Sequence, residues 1–168
     1  MRTAIDPVRY IQNRSSGKMG LALAKAAAER GAKIKILLGP IESGSVEAFS
    51  SWEVHRYASA SEYGEALRRH FPLCEVFFSL AAVLDFEAIY TPTKIPRENL
   101  KNTLSIAIQK VPDFAAWAGQ NKKPGQTVIA FAAESGTTEQ ILARAEGKRQ
   151  KKNADAIVAN PVTAGLGP

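Results

Sequence analysis

Glu75-Val76-Phe77-Phe78-Ser79-Leu80-Ala81-Ala82-Val83 is an apolar run with almost no alternation. A strand covered on both faces reads this way, and such strands belong to parallel sheets flanked by helices. Its neighbours fit that setting. Before it, Ser61 to His70 reads as a helix, Trp52 to Tyr57 as a short strand and Lys33 to Leu38 as another, with a Gly/Pro/Ser-rich loop from Gly39 to Ser45 between the two strands. Ser15 or Ser16 is placed to cap a helix running to about Arg30, with Gly31 just past its end. Residues 1–13, containing Pro7, read as irregular.

After the run, residues 86–102 hold Pro92, Pro96 and several charges and read as a loop or lid. Thr103 to Ile108 reads as a strand, and Asp113 to Gly119 as a helix entered through Pro112. Thr127 to Ala132 reads as a strand, and a helix capped by Thr137 or Thr138 runs to about Lys152. Asp155 to Ala159 reads as the last strand. Strands and helices alternate throughout. The expectation is one α/β domain over residues 1–168: a three-layer, Rossmann-like, open and mostly parallel sheet with helices on both faces. Ligands in such sheets bind where strand C-termini pass into loops.

Composition narrows the function classes. The chain has 168 residues, 45% of them hydrophobic, a formal charge of +6 and a single Cys74. An internal disulfide is therefore excluded, and Cys74 reads as a buried thiol. No apolar stretch approaches the roughly 18–20 residues a spanning helix needs, and the polar Met1–Asp6 is unlike a signal peptide. A cytoplasmic location is the default expectation. Lys and Arg are dispersed and not interleaved with aromatics, which favours a phosphorylated small molecule over nucleic acid. His55 and His70 lie 15 apart without cysteines or paired carboxylates, so no metal-ligand cluster is expected; Glu42, Glu47 and Glu53 read as surface charges.

Several segments carry candidate chemistry. Asp6-Pro7-Val8-Arg9-Tyr10-Ile11-Gln12-Asn13-Arg14-Ser15-Ser16-Gly17-Lys18-Met19-Gly20 places small residues at a helix start, where backbone N–H groups approach an anion. Asn13 supplies an amide for a carboxylate or oxyanion. An ordinary capped helix with solvated cations explains the same residues. Gln12 and Met19 exclude a Walker A loop, and the glycines do not form a dinucleotide fingerprint. Asp85 follows the buried run and either binds a ligand or caps a turn. Tyr90-Thr91-Pro92-Thr93-Lys94 matches a dehydrogenase Tyr-x-x-x-Lys pair only by spacing, because Pro92 breaks the helix that pair needs. Lys94 reads instead as a lid cation for phosphates. Phe131, at an expected strand end, offers an aromatic face or packs in the core. Lys148 and Lys152 share one helix face and suit a triphosphate or a solvated basic surface.

These segments, in this order, closely resemble the ligase domain of bacterial phosphopantothenate–cysteine ligase. The resemblance rests on Asp6-Pro7-Val8-Arg9-Tyr10 with Asn13 to Gly20, Ala81-Ala82-Val83 with Asp85, Lys94-Ile95, Val111-Pro112-Asp113, Phe131-Ala132-Ala133-Glu134 and Asp155 to Asn160. It implies activation of the phosphopantothenate carboxylate by a nucleoside triphosphate, with CTP favoured over ATP, then attack by the cysteine amine. It implies Mg²⁺ on the phosphates, a homodimer, and association with a phosphopantothenoylcysteine decarboxylase. It implies that Asn13 and Arg9 hold the acyl-nucleotide intermediate, with Ala82 lining the site and Lys94 meeting the triphosphate. Ser79, Leu80, Ala81, Asp85, Gln109, Lys110, Val111, Pro112 and Phe131 would hold the nucleotide, and Lys148 and Lys152 its phosphates. Arg14, Ser15, Ser16, Gly17, Lys18, Met19 and Gly20 would bind substrate.

The sequence also departs from the family pattern. That pattern begins with a strand and a Gly-Gly-Thr loop where Met1-Arg2-Thr3-Ala4 stand, and it continues past Asn160. The expectation is a domain short of its first strand and its C-terminal part, with exposed sheet edges or a core gap. Pro96 and Arg97 replace two lysines of the usual lid, and Ala130 a glycine. An alternative reading is a non-catalytic nucleotide- or phosphopantothenate-binding remnant of the same family.

Overall fold

The computed structural model describes residues 1–41, 46–97 and 105–162. The charge expected at Glu42, the end of the 86–102 loop and the first residues of the strand expected over Thr103–Ile108 lie outside this range. In chain order the elements are β1 (Arg2–Ala4), β2 (Tyr10–Gln12), α1 (Lys18–Ala28), β3 (Lys35–Leu38), β4 (Glu53–Arg56), α2 (Ala60–His70) and β5 (Val76–Ser79). Then follow β6 (Phe86–Ala88), β7 (Ile108–Lys110), α3 (Phe114–Asn121), β8 (Thr127–Glu134), α4 (Thr138–Lys152) and β9 (Ala156–Pro161).

The expected α/β architecture is present. β5 pairs parallel with β8, and β8 parallel with β9, giving the order β5-β8-β9. β3 and β4 form a second parallel pair, separate from the first group among the described residues. Along β8, Val128, Ala130, Ala132 and Glu134 are buried, whereas Thr127, Ile129 and Phe131 on the other face are only partly covered. Val128, Ala130, Ala118 and Ala154 join α2, α3 and β8 in one core with Leu67, Tyr63 and Phe114. Tyr63 stacks at 4.7 Å on Tyr57 and edge-on at 5.0 Å on Phe114. Among the described residues no helix is long and apolar enough to cross a membrane.

Helix starts follow local chemistry. Ser59 and Glu62 form a reciprocal capping box on α2, and Thr137 and Gln140 form one on α4. Asp113 caps α3 by accepting from the Ala116 N–H at 3.0 Å. Helix α1 differs from expectation. Its cap is Gly17, in the left-handed conformation at φ 72°, rather than Ser15 or Ser16. A Cβ there would lie 3.2 Å from the Ile41 side chain, so conformation and space both favour glycine.

Two further corrections concern segments read as irregular. Residues 1–13 contain an antiparallel hairpin, with Thr3 opposite Ile11. Its strands are three residues each, too short for alternation to show, and a turn organised by Asp6 joins them. The Pro-rich loop begins with β6, which pairs antiparallel with β7, Glu87 opposite Gln109. β7 therefore starts where the strand expected over Thr103–Ile108 was to end. β5 also stops at Ser79 rather than Val83. Leu80 N–H donates to Phe78 C=O at 3.2 Å and Val83 N–H to Ala81 C=O at 2.8 Å, turning the chain out of the sheet.

Candidate active site

The turns after β5 place Leu80, Ala81 and Ala82, all partly buried, at the C-terminal edge of the parallel group, where crevices form in open sheets. Asn13, just past β2, reaches this segment, its Nδ2 donating to the Val83 carbonyl at 3.3 Å. No local signal in the sequence announces that residues 13 and 83 meet. Beyond Asn13, the exposed Arg14 and the partly covered Ser15 and Ser16 lead to Gly17. α1 then begins at Lys18, whose N–H donates to Ser16 Oγ at 3.4 Å, and Met19 and Gly20 follow in a first turn with no acidic residue to oppose an anion.

The β6–β7 hairpin unites another pair of predicted segments. Asp85 lies just before β6, and its carbonyl accepts from Val111 N–H at 3.0 Å just after β7. Asp85 is thereby beside Lys110, Val111 and Pro112. Val111 itself is core, so its part in a site is through its backbone. Gln109 donates to Glu87 at 2.7 Å. An open depression lined by Arg2, Ser59, Tyr90 and Gln109 lies on this hairpin, but Gln109 alone of the predicted residues reaches it. The strand-end loops therefore remain the better candidate.

Arg9 and Lys94 are also brought together. Arg9 Nη1 donates to the Ile95 carbonyl at 3.2 Å, while Lys94 is exposed. Phe131 is not at a strand end. β8 continues three residues to Glu134, and Phe131 stands half-covered on the sheet face opposite Val128 and Ala130. Lys148 and Lys152 do share a face of α4, but each holds a carboxylate. Lys148 meets Glu134 at 2.5 Å, and Lys152 meets Asp113 at 2.5 Å, the residue that follows the 109–112 stretch. Among the described residues no group of three or more His, Cys, Asp or Glu side chains is arranged to hold a metal ion.

Glu134 was missed as a structural hub. Its side chain is 7% exposed, accepts from both Lys148 and Arg144, and is held below the usual carboxylate range by those two hydrogen bonds. A carboxylate depressed by folding contributes stability above its ordinary value of about 4.3 and loses it as pH falls through the folded value. Melting temperature is thus expected to fall more steeply below about pH 4.3 in the native chain than in a Glu134→Gln variant. Thermal melts from neutral to acid pH check this, and parallel curves would mean that the paired cations contribute nothing.

The fold is that of a Rossmann-like α/β domain, with the candidate site in the loops that follow its parallel strands. The chain belongs to the family of the DNA/pantothenate metabolism flavoprotein C-terminal domain, which matches residues 1–167. It is 39% identical over 167 residues to the coenzyme A biosynthesis bifunctional protein CoaBC of Vibrio parahaemolyticus, covering 96% of this chain and 39% of that one. It is 36% identical over 157 residues to the CoaBC of Borreliella burgdorferi, covering 93% and 39%. The chain thus spans about two fifths of the length of these relatives. Among solved structures, the C-terminal domain of a CoaBC matches with a TM-score of 0.74 and 29% identity, over 95% of this chain and 72% of that one. The DNA/pantothenate metabolism flavoprotein from Streptococcus pneumoniae matches with a TM-score of 0.80 at 18% identity, over 98% and 81%, a likeness of fold.

Proposed function

We propose that this domain joins 4'-phosphopantothenate to L-cysteine with CTP, through a phosphopantothenoyl-cytidylate. The observation that carries the reading is the Asn13 amide docked on Val83, beside Ala82 at the end of β5. It is supported by full-length relatives that are coenzyme A biosynthesis proteins. Phosphopantothenate would lie across the start of α1, its phosphate facing the first-turn backbone and the Lys18 side chain. Its carboxylate oxygen attacks the α-phosphorus of CTP, and the bond to pyrophosphate breaks. The cysteine nitrogen then attacks the acyl carbon, CMP departs from that carbon, and the amine releases its proton.

In this scheme Arg9 and Lys94 offset charge on the phosphates, and Asn13 donates to the acyl oxygen as it becomes anionic. Ser79, Leu80, Ala81, Asp85, Gln109 to Pro112 and Phe131 form the cytidine site. Lys148 and Lys152 reach the triphosphate by exchanging carboxylate partners for phosphate oxygens. Mg²⁺ would supply further neutralisation of the phosphates. The working protein on this reading is a cytoplasmic homodimer, associated with the decarboxylase that consumes its product.

The test is pyrophosphate release from CTP, and separately from ATP, with phosphopantothenate present and cysteine present or absent. Release from CTP that requires phosphopantothenate is the expected result. Faster release from ATP would replace the nucleotide. Nucleotide binding without release would favour the non-catalytic remnant.

A further inference from the structure

Asp6 has a saturated and fully enclosed carboxylate in a segment otherwise open to solvent. Its side chain is 0% exposed, between exposed Pro7 and Val8 and the partly exposed Arg9. Oδ1 accepts from the backbone N–H groups of Val8 at 2.9 Å and Arg9 at 2.8 Å. Oδ2 accepts from Arg9 Nη1 at 2.6 Å and from the N–H of Ile95 at 3.2 Å, 89 residues away in sequence. Those four donors use roughly all the acceptor capacity of a carboxylate. Nothing remains for a ligand, so Asp6 acts through what it holds.

It holds two things. Arg9 Nη1 is shared between Asp6 and the Ile95 carbonyl, and the other guanidinium nitrogens carry no protein partner among the described residues. Ile95 is fixed at both its N–H and its C=O, which sets the backbone of Lys94. Thr91 N–H donating to Ile5 C=O at 2.9 Å adds a second tether between the same two segments. Burial pushes the Asp6 carboxyl up, but the N–H groups of Val8, Ile95 and Arg9 with the Arg9 guanidinium outweigh it and keep it ionised.

We infer that Asp6 is a positioning residue that fixes Arg9 and the Lys94 backbone at one separation, so that the two cations meet the same phosphorylated ligand together. The inference rests on the ligase reading for the identity of that ligand, CTP. It explains why a carboxylate is kept in the middle of a cation-rich site that binds anions. The four donors offset its charge locally, while Arg9 beside it stays partly exposed and Lys94 exposed.

Asp6→Asn is the informative variant. Its amide has the same shape but turns an NH₂ group toward either the two backbone donors at Oδ1 or the two donors at Oδ2. Tryptic cleavage after Lys94 is expected to speed up at least about tenfold as the tether opens. kcat/KM for CTP is expected to fall roughly 10- to 100-fold, as misplaced binding groups produce. In a Lys94→Gln background, Asp6→Asn should cost clearly less than in the native chain, since the part that acts through Lys94 is already removed and only the part through Arg9 remains. Thr3→Val is the structural control. It deletes a buried hydrogen bond from Ala88 N–H to Thr3 Oγ1, 2.7 Å long, and should lower the melting temperature without changing cleavage after Lys94. Unchanged cleavage in folded Asp6→Asn, or a kcat/KM loss fully additive with Lys94→Gln, would overturn the inference. If the native chain turns over nothing, the ligase reading fails on its own. The cleavage arm and the change in CTP dissociation constant on Asp6→Asn then decide the clamp.

Discussion

Asn13→Ala is expected to lower product formation on the order of 100- to 1,000-fold, the range seen when one preorganised donor to an oxyanion is removed. Asn13 is exposed just past β2, and among the described residues its side chain makes one long hydrogen bond, to the Val83 carbonyl at 3.3 Å. Truncation therefore takes little from the core, and the melting temperature should stay within a few degrees of native. Loss of activity in a folded protein then reports chemistry. The step affected is also specified. On the proposed mechanism, phosphoryl activation uses the cations at Arg9 and Lys94, which the variant keeps, and transfer to the cysteine amine uses the acyl-oxygen donor, which it loses. A single-turnover experiment should show a pyrophosphate burst of near-native amplitude with slow appearance of the amide. Equal slowing of both phases would place Asn13 in nucleotide binding, and unchanged amide formation would remove it from the mechanism.

The sequence made the architecture legible because apolar runs and most helix caps are local signals. The expectation that the Glu75–Val83 run is covered on both faces fails, however: β5 lies at an edge of the described parallel group, with Val76 exposed and Phe77 to Ser79 partly covered. An uninterrupted apolar run, Ser or Thr three residues before Glu or Gln, and Pro beside Asp at a helix start each have one dominant physical reading. The short antiparallel pieces were not legible. Three-residue strands such as β1, β2, β6 and β7 are held by partners distant in sequence and by side chains like Asp6 and Thr3, so they leave no periodic trace. Asp6 followed by Pro7 was the one available hint, since aspartate often accepts from backbone groups two and three residues on.

The same division holds for the site. The family resemblance supplied the residue set, and burial argued that the loop after β5 was special. Neither indicated that Asn13 docks on Val83, that Asp85 meets Val111, or that Lys148 and Lys152 are held by Glu134 and Asp113. These are contacts between segments, set by topology. Glu134 shows the limit well. In sequence it is a carboxylate after a strand, indistinguishable from a surface charge. In the fold it continues the inward face of β8 and is buried because two cations of α4 accompany it.

Among the described glycines, Gly119→Ala should be the most destabilising substitution, although alanine is the better helix former. Gly119 lies inside α3 and is buried where that helix meets the end of α4. A Cβ there would sit 2.0 Å from the Lys152 carbonyl oxygen and 2.7 Å from that of Asn153. Both are backbone atoms, so no rotamer change relieves the overlap. The contact is fixed from the other side too, because Asn153 donates to the Gly119 carbonyl at 2.8 Å and is itself in the left-handed conformation, φ 50°. The helices must separate, and the core at Ala118, Val128 and Ala154 opens with them. Overpacking of this kind destabilises by about 3 kcal/mol or more, a fall in melting temperature of roughly 10 °C for a domain of this size. Gly147→Ala supplies the opposite sign on the adjoining helix. It is exposed in α4 with nothing within 4 Å of the added methyl, and should raise stability by about 0.5–1 kcal/mol. Two glycines in neighbouring helices, given the same methyl group, should therefore shift thermal melts in opposite directions. Similar shifts for both would mean that α3 and α4 do not pack through Gly119.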